Sequence, residues 1–448
     1  MARQPLAVAI LAAGQGTRMK SSLSKVLHEI CGRRMLGFPM GVAEALQPDH
    51  LFVVVGRDAD QVREAFAGRA TFVEQPEPRG TGHAVQQLEP HLRDFVGDVL
   101  VLYGDTPLLT AESLERLAAL KSETGAALAM LTSPEPLPGL VVRNEAGQVE
   151  RIVEVTDATP EELEIREGNT GVYQMDSDFL WKALAQLDDS NEQGELYLTD
   201  VVARAVAEGR RVEALEVESA DECLGVNDRA QLAAAAAVVR ARTTSRLMAA
   251  GVSFTDPSAV YLDVDVEIGP DSLVEPGVQI TGPTRIGARC HVKSHTVIES
   301  ALLGDGCTIG PAAHVRPGSR LGDDVRLGNY VEVKNSDLGA GVKADHLSYI
   351  GDADVGPGSS FGCGAITVNY DWETKHRTTV GSRVRVGCNA NLVAPLVLED
   401  DAYVGAGTTV TKTVPSQAIA VPGSRQKNVE GWGARRRKKG TGSKESES

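Results

Sequence analysis

A chain of 448 residues is long enough for two or three domains, each with its own core, and a hydrophobic share of 42% is ordinary for a soluble protein. The formal net charge of −16 argues against a general nucleic-acid binder. No apolar stretch reaches membrane-spanning length and no charged-then-apolar leader opens the chain, so the expected setting is cytoplasmic, without membrane insertion.

The apolar run Leu6 to Leu11 predicts a first strand, followed by the glycine-rich, basic stretch LAAGQGTRMKSSLSKVL, Leu11 to Leu27. It fits neither common phosphate-loop pattern: Met19 stands where a third dinucleotide-type glycine would be, and no Gly-Lys-Ser/Thr closes a Walker-type loop. Glycines that expose backbone N–H groups, with Arg18 and Lys25 as local charges, suit a phosphate cradle. An ordinary turn between strand and helix fits the same residues. Further along, Leu51 to Val55, Val99 to Tyr103 and Val212 to Val217 read as strands and Ala111 to Lys121 as a helix. The alternation predicts an α/β sheet with crossover helices, and such sheets bind ligands beyond the carboxyl ends of their strands. Asp105 closes the strand VLVLYGD at that end, where a Mg²⁺ ligand belongs, although an aspartate capping the next turn fits as well.

Residues Arg229 to Ala250, rich in alanine and lacking glycine and proline, predict a long joining helix. Beyond Asp256 an aliphatic residue recurs every six positions: Ile268, Val274, Ile280, Ile286, Val292 and Ile298, then from Leu303 through Val333, and again from Val380 to Val410. A turn-permitting glycine often follows. This is the signature of a parallel β-helix, each hexad forming one face of a triangular coil with its aliphatic residue inward. The stretch VNYDWETKHRTT, Val368 to Thr379, breaks the period and is expected to loop out. Flat faces and open ends make association around a threefold axis a natural solution. The expected organisation is a domain over 1–226, a linker helix over 227–250, a β-helix over 251–432 and a disordered tail over 433–448.

The opening loop, the YGD strand end, QPEPRGTGHA, NTG and GVNDR, followed by hexapeptide repeats carrying KADHLSYIGDA, together resemble one family across nearly the whole chain. It is the bacterial bifunctional N-acetylglucosamine-1-phosphate uridyltransferase/glucosamine-1-phosphate N-acetyltransferase family. The resemblance implies a Rossmann-like nucleotidyltransferase domain and a left-handed β-helix assembled as a homotrimer. It also implies UTP and acetyl-CoA as cosubstrates, Mg²⁺ as cofactor and sugar phosphates as partners. In the first half it implies nucleotide contacts at Leu11, Ala12, Ala13, Gly14, Gln75, Gly80 and Thr81, with Arg18 on the triphosphate and Lys25 on the reacting phosphates. Asp105 and Asn227 match the metal positions, Asn227 also being a sugar position, and Gly139, Glu154 and Asn169 match the other sugar positions.

In the second half the resemblance puts His346 at the base position. Imidazole, with an ordinary pKa of about 6.5, suits removal of a proton from an attacking amine. Arg316, Lys334, Tyr349, Ser360 and Lys375 match sugar-phosphate positions, and Asn369, Tyr370, Cys388, Ala406 and Arg425 match acetyl-CoA positions. Lys375 lies in the looped stretch, whose reach could complete a neighbouring subunit's site. The family usually has proline where Ser24 stands, a cation at Leu140 and at Thr156, asparagine at Ser360 and serine at Cys388. Three other readings use the same residues: a single-activity sugar nucleotidyltransferase whose β-helix only assembles or regulates, a metal site among His291, His295, His314 and His346, and a trimerising scaffold.

Overall fold

The computed structural model describes residues 4–14, 16–57, 59–423, 426–433 and 435. Arg425 and all but two residues of the expected tail therefore lie outside the described residues. The chain divides into two compact units, Met1–Ser245 with Leu262–Val264, and Arg246–Tyr261 with Asp265–Ser448.

The first unit is built on a nine-stranded sheet. Its strands are β1 (Leu6–Ala12), β2 (His50–Val55), β3 (Thr71–Glu74), β4 (Asp98–Tyr103), β5 (Leu128–Ser133), β6 (Gly139–Arg143), β7 (Val149–Glu154), β8 (Gly168–Asp176) and β9 (Val212–Glu216). The main path runs β9-β5-β8-β4-β1-β2-β3, with β6 and β7 attached beside β8. Strands β4, β1, β2 and β3 are parallel, and their near-continuous Val/Leu/Ile runs follow from burial on both faces. Strand β8 runs antiparallel between β4 and β5. Because β1 and β4 are parallel neighbours with Leu11 paired to Tyr103, the glycine loop and Asp105 emerge side by side at one end of the sheet.

The helix predicted after residue 229 spans Arg229–Ala249. Its Ala235 and Val239 join Ile30, Met35, Leu108 and Val226 in a buried cluster, so this helix helps form the first unit's core.

The second unit is a parallel β-helix whose described strands form three sheets of ten, nine and eight members. One face carries His291–Val292, Thr308–Ile309, Arg326–Asn329, Lys343–His346, Ser360–Phe361, Arg385–Val386 and Tyr403–Val404. The next carries His314–Val315, Glu332–Lys334, Tyr349–Gly351 and Ile366–Val368. The hexad aliphatics pair with one another from coil to coil and are buried, as with Val274, Val292 and Ile309 at 0% exposure. Glycine is needed where coils stack closest: a Cβ on Gly387 would lie 2.6 Å from the Ala406 backbone nitrogen. The interrupting stretch forms a small hairpin closed by an antiparallel bridge between Tyr370 and Lys375.

Candidate functional site

At the sheet end of the first unit, a cavity of about 420 Å³ is lined by Leu11, Ala12, Ala13, Gly14, Lys25, Gln75, Gly80, Thr81, Tyr103 and Asp105, among others. All the nucleotide positions expected from the resemblance line it except Arg18. That arginine is exposed on the turn Thr17–Met19, and among the described residues its guanidinium makes no ion pair.

Two close approaches shape the loop. Gly16 has φ +59, and a Cβ there would lie 2.7 Å from Cβ of Lys25, so the loop packs directly on the base of the lysine. Gly80 has φ +102, and its Cβ would meet the Leu196 carbonyl oxygen at 2.6 Å. Around Gly14, by contrast, a Cβ would find nothing within 4 Å.

The Lys25 ammonium donates to Asp105 Oδ2 at 2.5 Å and to Asn227 Oδ1 at 3.0 Å. Both expected metal ligands therefore converge on one cation, and that cation is the lysine itself. The donors are a carboxylate oxygen and an amide oxygen, both hard. Mg²⁺ is commonly held by one or two carboxylates together with substrate phosphates, so this donor set fits it.

The expected sugar positions form a row across three strands. Asn169 on β8 pairs with Gly139 on β6, and Gly139 pairs with Glu154 on β7. Thr199 donates its hydroxyl to Glu154 at 3.3 Å. Burial raises the Glu154 carboxyl above its ordinary pKa, with Asp157 and Asp200 adding to the effect against the Thr199 bond. Sequence reasoning left Tyr103 without a role, although it directly precedes Gly104-Asp105. Burial pushes its phenol above the ordinary value, and a Cβ on Gly171 would come within 2.5 Å of its ring.

In the β-helix, His346 lines a second cavity, of about 340 Å³, with Lys293, Thr308, Arg326, Asn329 and Asp345. Its Nδ1 lies 3.0 Å from Asn329 Oδ1, one coil away and in register. Counting two residues beyond the registered row Ala344, Phe361, Val386 and Val404 gives a corner column of His346, Cys363, Cys388 and Ala406. Cys388 is exposed and Cys363 half-buried, and both are free thiols. The 17-residue step from Asn329 to His346 is one coil, which is the signal that could have found Asn329 from sequence.

Around the corner, the expected sugar-phosphate cations gather on the next face. Arg316 donates to Glu332 at 2.8 Å, and Glu332 is in register with Tyr349. Lys334 lies 3.9 Å from Asp352, which also accepts from Asn335 at 2.6 Å and from Asn369. Burial works against ionisation of Asp352, but those two amides and the charges of Lys334 and Lys375 outweigh it and hold the carboxyl below its ordinary range. Lys375 stands against Lys334 of the same chain, and that neighbour lowers its pKa. Asp371 holds the hairpin that presents Lys375, accepting from the Thr374 and Glu373 N–H groups at 2.7 and 3.0 Å. Tyr370 turns to Trp372, donating to its carbonyl at 2.6 Å. Ser360 stands apart on the first face, in register with Lys343 and Arg385.

The other histidines do not converge. His291 pairs with Glu275 and His314 with Glu299, each at 2.7 Å and on different faces. Among the described residues no group of three or more His, Cys, Asp or Glu side chains could hold a metal ion. Nor is any described helix long and apolar enough to cross a membrane.

Residues 8–166 match the MobA-like NTP transferase domain family, and residues 265–300 and 300–335 match the bacterial transferase hexapeptide (six repeats) family. The bifunctional protein GlmU of Pelobacter propionicus is 46% identical over 456 aligned positions, covering 97% of this chain and 99% of the relative. The chain belongs to the GlmU family. GlmU proteins of Stutzerimonas stutzeri (45% identical, 95% of this chain and 98% of the relative) and Shouchella clausii (43%, 94% and 97%) match over a similar span. As a member of the GlmU family it is a bifunctional enzyme, with uridyltransferase and acetyltransferase activities. This removes the single-activity and scaffold readings.

Proposed function

We propose that the β-helix acetylates the amine of glucosamine 1-phosphate from acetyl-CoA and that the first unit then transfers a uridylyl group from UTP to N-acetylglucosamine 1-phosphate. The observation that carries the reading is the Lys25 ammonium held between Asp105 and Asn227, with Lys25 and Asp105 both lining the cavity that holds the expected nucleotide positions.

In uridylyl transfer the sugar phosphate oxygen attacks the α-phosphorus of UTP and pyrophosphate leaves. Such a reaction asks the protein for alignment and charge neutralisation. The Leu11–Gly14 backbone, Gln75, Gly80 and Thr81 hold the nucleotide. Lys25 exchanges its carboxylate partner for the reacting phosphates, and Arg18 meets the departing pyrophosphate. Asn169, Gly139 and Glu154 receive the sugar's acetamido and hydroxyl groups. Mg²⁺ held by Asp105 and Asn227 would supply further neutralisation of phosphate charge.

In acetyl transfer, His346 takes the proton released as the sugar amine attacks the thioester carbonyl, and CoA leaves as the thiol. Asn329 fixes the imidazole through Nδ1, which leaves Nε2 for the proton. Arg316, Lys334, Tyr349, Lys375 and Ser360 serve the sugar phosphate. Asn369, Tyr370, Cys388, Ala406 and Arg425 serve acetyl-CoA. Homotrimeric assembly is supported by the part-exposed Leu302 and Val397 on one flat face, and a cytoplasmic setting completes the reading.

The test is a pair of single substitutions assayed for both reactions. Asp105→Ala abolishes pyrophosphate release from UTP and spares CoA release, and His346→Ala does the reverse. Uridylyl transfer surviving in Asp105→Ala refutes the metal and nucleotide assignment.

A further inference from the structure

The family resemblance implies proline directly before the lysine, where this chain has Ser24, and a proline there would stiffen the approach to Lys25. The structure shows what takes its place. Ser24 is buried, with φ −52 and ψ 137, a φ close to the value a proline ring would impose. Its backbone N–H, a donor that proline lacks, is received by Gln61 Oε1 at 3.2 Å. The same carboxamide donates Nε2 to the Ser22 carbonyl at 3.3 Å. Gln61 belongs to the helix Ala59–Ala65, so one side chain from a separate element grips the chain at two points just before Lys25. The Ser24 carbonyl then accepts the Leu27 N–H at 3.0 Å, which starts the turn Lys25–Leu27.

We propose that Gln61 is a positioning residue for uridylyl transfer: it holds Ser22 and Ser24 in the conformation a proline would enforce and so aims Lys25 at the reacting phosphates. The inference rests on the reading that Lys25 neutralises those phosphates. A serine at position 24 has a wide choice of φ and a buried N–H that requires a partner. Gln61 supplies both the restriction and the partner, and its bond to residue 24 exists only while that residue has an N–H.

The experiment is a double-mutant cycle on the full chain, with uridylyl transfer from UTP and CoA release from acetyl-CoA measured on the same preparations. Gln61→Ala is expected to lower kcat of uridylyl transfer by about tenfold, the scale of one lost hydrogen bond and a loosened lysine, with the KM for UTP changing less and CoA release unaltered. In the Ser24→Pro background the same Gln61→Ala change is expected to cost less than about twofold, because the N–H is gone and the ring fixes φ. An equal loss in both backgrounds, or no loss in either, overturns the proposal. Lys25→Ala is the third arm. If it retains uridylyl transfer, the reading of Lys25 fails; if it abolishes transfer while Gln61→Ala is silent, only the role of Gln61 fails.

Discussion

Gly16→Ala tests the link between the loop and the reacting phosphates. The new Cβ would sit 2.7 Å from Cβ of Lys25, whereas non-bonded carbons prefer about 3.5–4.0 Å, so lysine and loop must separate by about 1 Å. A displacement of that size at a positioned catalytic group costs on the order of 100-fold in rate. The left-handed φ of +59 adds about 1–2 kcal/mol against any Cβ, a shift of a few degrees in the melting temperature of a unit this size. Pyrophosphate release should therefore fall by about 100-fold, with CoA release unchanged in the same preparation. Gly14→Ala is the matched control for the cradle, because a Cβ there meets nothing within 4 Å. Its melting temperature should stay at the wild-type value while the KM for UTP rises, since the methyl group occupies space into which the nucleotide backs. If Gly16→Ala keeps more than about a third of the wild-type rate, the placement of Lys25 does not limit the reaction and the argument fails.

Glu154→Gln should stabilise the protein while weakening the sugar site. Burial raises the Glu154 pKa in the folded state, so the stability it contributes when protonated is present below the ordinary carboxylate range and lost as pH rises through the folded value. At neutral pH the buried charge is a cost, and calorimetry should show a higher melting temperature for the variant, a gain that vanishes in acid, alongside a raised KM for the sugar phosphate. Asn329→Ala frees the His346 ring and should lower kcat for CoA release by roughly 10- to 100-fold without touching uridylyl transfer; an unchanged kcat removes Asn329 from the mechanism. Lys25→Met removes the ammonium that competes for Asp105 and Asn227. Mg²⁺ titrated calorimetrically without nucleotide should therefore bind the variant several-fold more tightly than wild type, and equal affinity would mean that Lys25 does not occupy the metal's place.

The β-helix was legible because its rule is local: an aliphatic residue every six positions meets its own kind one coil later, and the period names the inward residues from Ile268 to Val333 and from Val380 to Val410, while Leu338, Ala344, Ile350, Val355 and Phe361 between them were not named. Four of the parallel strands were legible for the same reason, since β1, β2, β4 and β9 lie within a residue of the runs read as strands, whereas β3 and β5 were not read. What could not be read was pairing between distant segments. Strand β8 inserts antiparallel between β4 and β5, and only that insertion aligns Asn169 with Gly139 and Glu154. The Lys25–Asp105–Asn227 contact joins residues 80 and 202 positions apart, and no periodicity encodes it. The hairpin at 370–375 was foreseen as a loop, but its fold back onto Lys334 of its own chain depends on the Asp371 turn and the Tyr370–Lys375 bridge.

Both sites also resolve a tension in the composition. A chain with a net charge of −16 must still bind phosphorylated substrates, and it pairs three of the cations proposed to bind them with carboxylates. Lys25 is held by Asp105, Arg316 by Glu332 and Lys334 by Asp352. Each pair keeps the cation oriented and partly neutralised, and two of the carboxylates have somewhere else to turn when phosphate arrives. Asp105 has the proposed metal position it shares with Asn227, and Asp352 keeps the Asn335 and Asn369 amides. A phosphate then exchanges one anion for another at a cation already in position, so little side-chain ordering remains to oppose binding. The contrast is Arg18, exposed and without an ion pair among the described residues: its side chain must be ordered when pyrophosphate forms, which suits a group that assists departure more than one that holds the ground state.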